Sequence, residues 1–253
     1  LIQSFQARFK DRLSVGIGTP GCLSNNGEMK NCNAIELNGK RLLNDVEARL
    51  GYEVRIENDA NCFALSEACY GAAQKARSVF GVIVGTGCGG GIVIDKKLVT
   101  GPNSISGEWG HNCMPANARA MISADRECYC GRTNCIETLL SGRGLSQSYF
   151  DATGEKLSAA EIAERAKGKF APAKVCLEIY VDQLAHCLAT VINMLDPEVI
   201  VLGGGLSNIA SLYKRVPTLL RPHVFNDQLH TRIVAPTFGD ASGAIGAACL
   251  WKH

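Results

Sequence analysis

The densest group of reactive side chains is a trio of cysteines, Cys128, Cys130 and Cys135, within ECYCGRTNCIET. Three thiolates lack one ligand of the tetrahedral set that zinc prefers, and His111, in SGEWGHN, could supply it. The C-x-C-x4-C spacing differs from the common C-x2-C knuckle, so incidental thiols are the alternative. Because such a set leaves no position for water, the metal would be structural. The second imidazole nitrogen could then reach a substrate hydroxyl.

Carboxylates form the second candidate group. ENDAN places Asn58 and Asp59 where a strand ends and a helix begins. Asp59 could cap that helix, or it could accept a proton from a substrate hydroxyl. Glu108 and Glu137 flank the cysteine region, and each alone would be an ordinary surface charge.

Two glycine-rich turns could approach phosphate groups. GTGCGG, at 85–90, has the G-x-G-x-x-G spacing, but a strand follows it, whereas a dinucleotide fold requires a helix there. The stretch is therefore a hairpin, either an ordinary tight turn or one whose amides cradle phosphate. Gly203, Gly204 and Gly205 lie between a strand and a helix, which suits a nucleotide or tight packing.

The elements that must position these groups alternate between strands and helices, which indicates an α/β fold. Apolar periodicity predicts strands at SVGIGTPG, EVRIEN, SVFGVIVG, GIVIDKKLVTG and EVIVLGG. It predicts an amphipathic helix in the opening LIQSFQARFKDRL, and helices near 41–50, 60–70, 136–150, 158–167, 172–195 and at the C-terminal end. Proline at 197 should end the long helix. The stretch 102–135 has little periodicity and is predicted to be a long functional loop.

Composition excludes several classes of protein. The chain has 253 residues, 46% hydrophobic and 20% charged, with a net charge of +2 and no basic stripe that would indicate a nucleic-acid partner. The longest uninterrupted apolar runs are too short to cross a bilayer, so no membrane partner is expected. Most of the 12 cysteines stand singly in periodic segments, which favours reduced thiols and a cytoplasmic location.

Taken together and in order, these motifs resemble those of the ROK family of bacterial sugar kinases and sugar-responsive repressors. The matching pieces are IGTPG, ENDAN, GTGCGGG, the E-x-G-H of SGEWGHN, the C-x-C-G-x3-C-x-E cluster followed by SG, and VIVLGGG. The resemblance extends from about residue 14 to the end. Within the family, KNCNAIELNG, SGEWGHN and ECYCG look most like fructokinase and manno(fructo)kinase. NDANCFALSEA and LSGRG look like N-acetylglucosamine kinase.

The resemblance implies an actin-like ATPase (ribonuclease H-like) fold, with two α/β domains around a cleft. Residues 1–58 would be the remnant of a small domain, against which a helix at about 240–253 packs back, and residues 59–239 the large domain with its zinc loop. Asp59 would be the general base. The sugar would be held by Asn33, Asn58, Asp59, Glu108, His111 and Glu137.

The resemblance also implies the cofactors. ATP would lie against Thr86, Gly87, Gly89, Gly90, Gly203, Gly204 and Gly205, and Mg²⁺ would enter with it. Structural Zn²⁺ would be bound by His111, Cys128, Cys130 and Cys135. Sugar and ATP would be the small-molecule partners, and a homodimer is expected.

Two departures from the family pattern stand out. Asn134 replaces a usual glycine, and asparagine tolerates the left-handed backbone that this turn needs. No D-x-G-G-T loop precedes SVGIGTPG, so a fragment of a longer kinase is expected, with a poor, incomplete kinase as the alternative.

The predicted activity is transfer of the ATP γ-phosphate to the 6-hydroxyl of a hexose, fructose or mannose first. N-acetylglucosamine kinase or glucokinase is the alternative within the family. The sugar-sensing domain of a repressor and a zinc-stabilised interaction domain are alternatives of other classes.

Overall fold

The computed structural model describes residues 2–168 and 170–251. Its helices are α1 (Ile2–Gln6), α2 (Leu42–Leu50), α3 (Asp59–Cys69), α4 (Ala116–Arg119), α5 (Glu137–Leu140), α6 (Gly142–Thr153), α7 (Ala159–Lys167), α8 (Ala171–Leu195), α9 (Leu212–Leu220) and α10 (Ser242–Cys249). Its strands are β1 (Gly16–Thr19), β2 (Cys22–Leu23), β3 (Met29–Lys30), β4 (Arg55–Asn58), β5 (Ser78–Val84), β6 (Cys88–Ile94), β7 (Lys97–Leu98), β8 (Val199–Gly203) and β9 (Arg232–Val234).

A five-stranded mixed sheet with the order β7-β6-β5-β8-β9 organises most of the chain. β5 and β6 form an antiparallel hairpin, and β8 pairs in parallel with both β5 and β9. β5 reads SVFGVIV and is almost wholly buried, as expected for a central strand covered on both faces.

Successive side chains of the central strands enter two separate cores, because strand side chains alternate between faces. Phe80, Val82 and Val84 pack in the larger core, which includes α6, α8 and α9. Val79 packs on the other face with α3, and Val199 and Val201 of β8 join it there. The sheet is therefore sandwiched between helices, which confirms the predicted α/β class.

Two short sheets precede the main one: β1 pairs in parallel with β4, and β2 pairs antiparallel with β3. α10 returns to this region and packs against α3 and β1. The Trp251 indole donates a hydrogen bond of 2.8 Å to the carbonyl oxygen of Val15, and Arg55 donates to the carbonyl oxygen of Leu250. The division into domains at 1–58 and 59–239 stays a prediction.

Three local predictions differ from the structure. The helix expected near 136–150 is broken at Ser141, whose extended backbone and capping hydroxyl separate α5 from α6. After the glycines at 203–205, a 3-10 turn, Gly205–Asn208, intervenes before α9. The opening amphipathic helix is short, and its Phe5 is exposed.

One helix, α8, is long and apolar enough to cross a membrane by length and composition alone, with a mean hydropathy of 1.4. Packing explains this apolar character, because 56% of that window is buried inside the protein. Val181, Leu184 and Leu188 lie in the larger core. The helix ends at Asp196 in a left-handed conformation, immediately before the proline that was predicted to stop it.

Candidate active site and metal centre

Asp59 lies where β4 meets α3, at the carboxyl end of a strand. The sequence left open whether Asp59 caps this helix, and that alternative is wrong because Asn58 is the cap. The Asn58 side-chain oxygen accepts hydrogen bonds from the backbone amides of Ala60 and Asn61, and its amide group donates to the carbonyl oxygen of Gly21. The cap leaves the Asp59 carboxylate open to solvent at the helix start.

Two carboxylates, Asp59 and Glu137, lie close enough to a third, Glu108, to act on it. Partial burial raises the pKa of Asp59 above its ordinary value, and a hydrogen bond from the Ala60 amide only partly offsets this. Burial also raises the pKa of Glu108, and the negative charges of Asp59 and Glu137 add to the rise while His111 opposes it. Asp59, Glu108 and Glu137 therefore lie in one electrostatic neighbourhood although they are distant in the sequence.

Glu137 connects this neighbourhood to the glycine-rich hairpin. As the first residue of α5, it accepts a hydrogen bond of 2.9 Å from the backbone amide of Cys88. A methyl group added at Gly87 would lie 2.8 Å from the same carboxylate oxygen, so only glycine allows this approach. The hairpin turn is thus held against the carboxylates.

The predicted metal ligands meet in space. One nitrogen of His111 and the sulfurs of Cys128, Cys130 and Cys135 all lie within 4.8 Å of one another. The His111 Nδ1 lies 3.5 Å from the Cys128 sulfur, and the Cys130 and Cys135 sulfurs are 3.6 Å apart. Asn134 has the left-handed backbone (φ 57°) that was predicted for this turn.

This cluster fits a zinc ion. Bonds of about 2.3 Å to sulfur and about 2.1 Å to nitrogen would put tetrahedral ligand atoms about 3.6–3.8 Å apart, close to the two shortest separations observed. Burial opposes ionisation of Cys130, but hydrogen bonds from the Arg132 amide and the neighbouring ligands lower the pKa of Cys130 to about 6. One thiolate is therefore available near neutral pH. Bound zinc would fix the fold of this loop.

The second imidazole nitrogen of His111 has a neighbouring phenol as its partner. The His111 Nε2 lies 2.9 Å from the Tyr129 hydroxyl, and the two rings meet edge to face with centroids 5.1 Å apart. Burial raises the pKa of the Tyr129 phenol, and Glu137 and Glu108 raise it further, so this side chain belongs to the carboxylate neighbourhood. The sequence analysis missed Tyr129, although its place between two cysteine ligands could have indicated it.

A cleft of about 1410 Å³ opens beside these groups and is the candidate sugar site. Glu108, His111 and Tyr129 line one part of it, and the segment that includes Lys30 and Cys32 lines another. Asn33 is exposed in the same segment, next to buried Cys32. Trp109 also borders the cleft, but its ring is 4% exposed and its indole donates to the carbonyl oxygen of Gly89, so packing explains it.

A second cleft, of about 1360 Å³, is the candidate nucleotide site. Gly85 and Thr86 of the hairpin, Gly205 after β8, and both α6 and α7 line it. The Gly142 amide, at the start of α6, donates a hydrogen bond of 2.7 Å to the carbonyl oxygen of Gly85. The sequence analysis missed α6 and α7 as walls of this cleft, including Arg143 and Gln147 of α6, and Lys156 between the two helices, although LSGRG marks where α6 begins.

Packing accounts for several of the predicted phosphate-binding glycines. A methyl group at buried Gly90 would meet Phe80 and the carbonyl oxygen of Gly107 within 2.9 Å. One at Gly203 would lie 2.5 Å from the Phe63 ring. Gly89 faces Ala60 of α3, the residue after Asp59.

At the two turns, other features explain why these positions are glycine. Gly204 has a positive φ of 80° and lies against the end of β5. Gly205 and Thr86 open on the second cleft, and a side chain at Gly87 would meet the Glu137 carboxylate. Phosphate binding by this group of residues stays a prediction.

Comparison with known proteins gives the family. The profile of the ROK family matches residues 1–253. The chain belongs to the ROK family. Its relatives include the N-acetyl-D-glucosamine kinase of Yersinia enterocolitica, which is 40% identical over 94% of this chain and 80% of the relative. The N-acetyl-D-glucosamine kinase of Photobacterium profundum is 42% identical over 93% of this chain and 79% of the relative. A ROK glucokinase from Streptomyces griseus, solved with glucose and AMPPNP, is 27% identical, with a TM-score of 0.81 over 96% of this chain and 83% of that one.

These relatives confirm the predicted actin-like ATPase fold and the prediction that this ROK protein is a sugar kinase. They do not support fructose or mannose as the first choice of substrate. Curated relatives that are 39–42% identical to this chain are named for N-acetyl-D-glucosamine, which was the alternative within the family. The first choice depended on the motifs KNCNAIELNG, SGEWGHN and ECYCG, and the alternative on NDANCFALSEA and LSGRG.

Proposed function

We propose that this ROK protein is an ATP-dependent N-acetyl-D-glucosamine kinase that phosphorylates the 6-hydroxyl. The observation that carries the proposal is the identity of 38–42% to N-acetyl-D-glucosamine kinases over 93–99% of the chain. The two clefts support it, because one is lined by Glu108 and His111, which suit sugar hydroxyls, and the other is bordered by glycine turns suited to phosphate.

Asp59 would be the general base of the reaction. In the transfer, the sugar 6-oxygen attacks the γ-phosphorus, the bond from that phosphorus to the β,γ-bridging oxygen breaks, and ADP leaves. Asp59 would accept the hydroxyl proton at its carboxylate. The raised pKa of Asp59 makes it a better proton acceptor than an ordinary aspartate.

Glu108 and Glu137 would orient the sugar by accepting hydrogen bonds from its other hydroxyls, with Asn33, Asn58 and His111 in the same shell. The commitment of the Asn58 amide to the α3 cap and to Gly21 limits its part to shaping the site. Phosphoryl transfer depends mainly on alignment and charge neutralisation, so the positions of these side chains matter more than covalent chemistry.

The nucleotide would occupy the second cleft, with its phosphates toward the turn at Gly85, Thr86 and Gly87 and its adenosine toward Gly204 and Gly205. Magnesium bound with ATP would neutralise charge on the phosphates. Both clefts border the β5–β6 hairpin, so the phosphate would reach the acceptor past this turn. The homodimer and the cytoplasmic location expected from the family remain predictions, and sedimentation of the purified protein tests the first.

A coupled assay of ADP release tests the proposal with N-acetylglucosamine, N-acetylmannosamine, glucose, mannose and fructose as acceptors. The highest kcat/KM is expected for N-acetylglucosamine. A preference for fructose or mannose would overturn the substrate assignment. Sugar binding without turnover of any acceptor would favour a sensor and overturn the kinase assignment.

A further inference from the structure

The second cleft carries an excess of positive charge. Of the described residues that line it, three are basic, Arg143, Lys156 and Lys167, and one, Glu164, is acidic. The Lys167 ammonium lies 2.6 Å from the Glu164 carboxylate, so these two charges are paired with each other. The positive charges of Arg143 and Lys156 remain, in a cleft whose other described lining residues are neutral.

Arg143 is the cation of this cleft that remains available to a ligand. Among residues 2–168 and 170–251, no carboxylate oxygen lies within 4.0 Å of its guanidinium. The Lys156 ammonium, by contrast, lies over the Phe150 ring, 5.7 Å from its centroid, where the ring already stabilises part of its charge. A guanidinium does not lose its proton in proteins, so Arg143 stays charged.

The backbone places Arg143 beside the glycine-rich hairpin. The amide of the preceding residue, Gly142, donates a hydrogen bond of 2.7 Å to the carbonyl oxygen of Gly85, and both glycines line the cleft together with Thr86. A methyl group added at Gly142 would lie 3.2 Å from the same carbonyl oxygen, so the start of α6 and the turn are in close contact. A ligand that lies against this turn is therefore within reach of the long Arg143 side chain.

The anion that fits this position is a phosphate. The base and the ribose of a nucleotide are neutral, so the phosphates are its only anionic groups. A planar guanidinium can donate to two phosphate oxygens at once. Glu137, which acts on Glu108, binds the turn at the Cys88 amide, whereas α6 meets it at Gly85. The γ-phosphate has to lie nearest the sugar, so Arg143 is better placed for the phosphates that ADP keeps.

We propose that Arg143 is a nucleotide-binding residue that pairs with the phosphates common to ATP and ADP. It would hold the donor by the groups that are not transferred, and it would give the arginine of LSGRG a part in the reaction. This inference rests on the proposed function, because it names the contact by which the second cleft would bind the phosphoryl donor.

Calorimetric titration with ADP and Mg²⁺, and separately with adenosine, measures this contact. In Arg143→Gln the affinity for ADP is expected to fall about 10- to 100-fold, the effect of losing hydrogen bonds between charged groups. The affinity for adenosine, which has no phosphate, should not change. Arg143→Lys keeps the charge without the planar fork and should lose less. Arg49→Gln, on exposed α2 outside both clefts, removes an equal charge and should bind both ligands like the parent.

Kinetics and salt dependence give independent readouts. KM for ATP should rise in Arg143→Gln, while KM for the sugar and kcat change little, because the contact is made to phosphates that are not transferred. The difference in ADP affinity between parent and variant should be smaller in 1 M salt than in 0.1 M salt. The Debye length falls from about 10 Å to about 3 Å over this range, which screens an exposed ion pair. Arg143 is exposed, so neither substitution should lower Tm.

Three outcomes would overturn the inference. These are an unchanged affinity for ADP in Arg143→Gln, an equal loss for ADP and adenosine, which would indicate a changed cleft shape, and a loss that Arg49→Gln reproduces, which would indicate a general effect of charge. The proposed function is judged separately, by turnover of N-acetylglucosamine in the parent protein. If turnover fails, the two titrations still decide the role of Arg143, and a parent that binds no ADP would also overturn it.

Discussion

At the scale of single residues, the position of Asp59 explains how a carboxylate can be both exposed and perturbed. It begins α3 but leaves the capping role to Asn58, so its side chain is free for a ligand. Surrounding protein replaces part of its water, and nearby acidic groups make this a region of concentrated negative charge. Such an arrangement suits proton acceptance and disfavours the ionised form in the free protein.

The first prediction concerns the chemical step. Asp59→Asn keeps the shape of the side chain and removes the proton acceptor, so kcat for sugar phosphorylation should fall about 10²–10⁴-fold. Sugar affinity, measured by calorimetry, should weaken much less. Asp45→Asn, on exposed α2, removes a similar charge outside the site and should behave like the parent. A rate within a few-fold of the parent would rule out the role of general base.

The second prediction concerns stability and pH. The folded-state pKa of Asp59 is raised above its unfolded value, so stability is lost as pH rises through the folded pKa. Asp59→Asn should therefore increase the free energy of unfolding relative to the parent at pH 7. The gain should shrink toward pH 4, where the parent carboxyl becomes protonated. Urea unfolding at several pH values measures this, and a gain that grows on acidification would contradict it.

At the scale of elements, the loop that holds His111 and the cysteines has little regular structure to keep it folded. Arg126 ties its start to α5 and α6 by donating to the carbonyl oxygens of Thr138 and Gly144, and it forms an ion pair of 3.1 Å with Asp151. The metal cluster would fix the remaining turn, from which Tyr129 extends into the cleft.

The third prediction tests the metal. Cys135→Ser should abolish stoichiometric zinc, measured by elemental analysis, and lower Tm, because only three of the four candidate ligands remain. A strong chelator should do the same to the parent. Cys113→Ser is the matched control. Cys113 pairs with Cys135 through an isolated backbone β-bridge, but its side chain is exposed and lies outside the cluster. Equal zinc content in both variants would exclude the proposed ligand set.

The fourth prediction concerns the contact between α10 and α3. A methyl group added at Gly246 would lie 1.7 Å from the carbonyl oxygen of Cys62, in the helix that begins with Asp59. Gly246→Ala should therefore force the helices apart and destabilise the protein by about 1–3 kcal/mol or more. Gly243, in the same helix, has nothing within 4 Å, so Gly243→Ala should be neutral or stabilising by up to about 1 kcal/mol. Similar unfolding curves for both variants would contradict the close packing.

At the scale of the whole molecule, the β5–β6 hairpin separates two clefts of similar size. Glu137 and Gly142, at the starts of α5 and α6, hold opposite sides of its turn. The candidate acceptor and donor sites are thus neighbours with distinct linings.

The fifth prediction follows from this separation. N-acetylglucosamine or a non-hydrolysable ATP analogue, each at about 100 times its Kd, should stabilise the folded protein by about 2.7 kcal/mol. The two effects should add if the sites are independent. Thermal unfolding with each ligand and with both measures this. Mutual exclusion, with no gain from the second ligand, would contradict two separate sites.

The sequence by itself determined the family, the α/β class and the identities of most candidate site residues. These features are local: alternating apolar residues in strands, proline after α8, asparagine in a left-handed turn, and cysteines a few positions apart. Each depends on short-range sterics or ligand chemistry, which residues close together in the sequence determine without the rest of the chain. The first choice of sugar is not supported by the relatives, which favour the alternative within the family.

The tertiary structure decided what depends on residues far apart in the chain. It brought Asp59, Glu108 and Glu137 together, set Tyr129 against His111, gave the α3 cap to Asn58, and placed α6 and α7 beside the nucleotide turn. Glu137 bonds to the amide of Cys88, 49 positions away, and Gly203 is glycine because Phe63 packs against it. No linear spacing encodes such contacts, because the packing of the whole sheet and its two helical layers selects them.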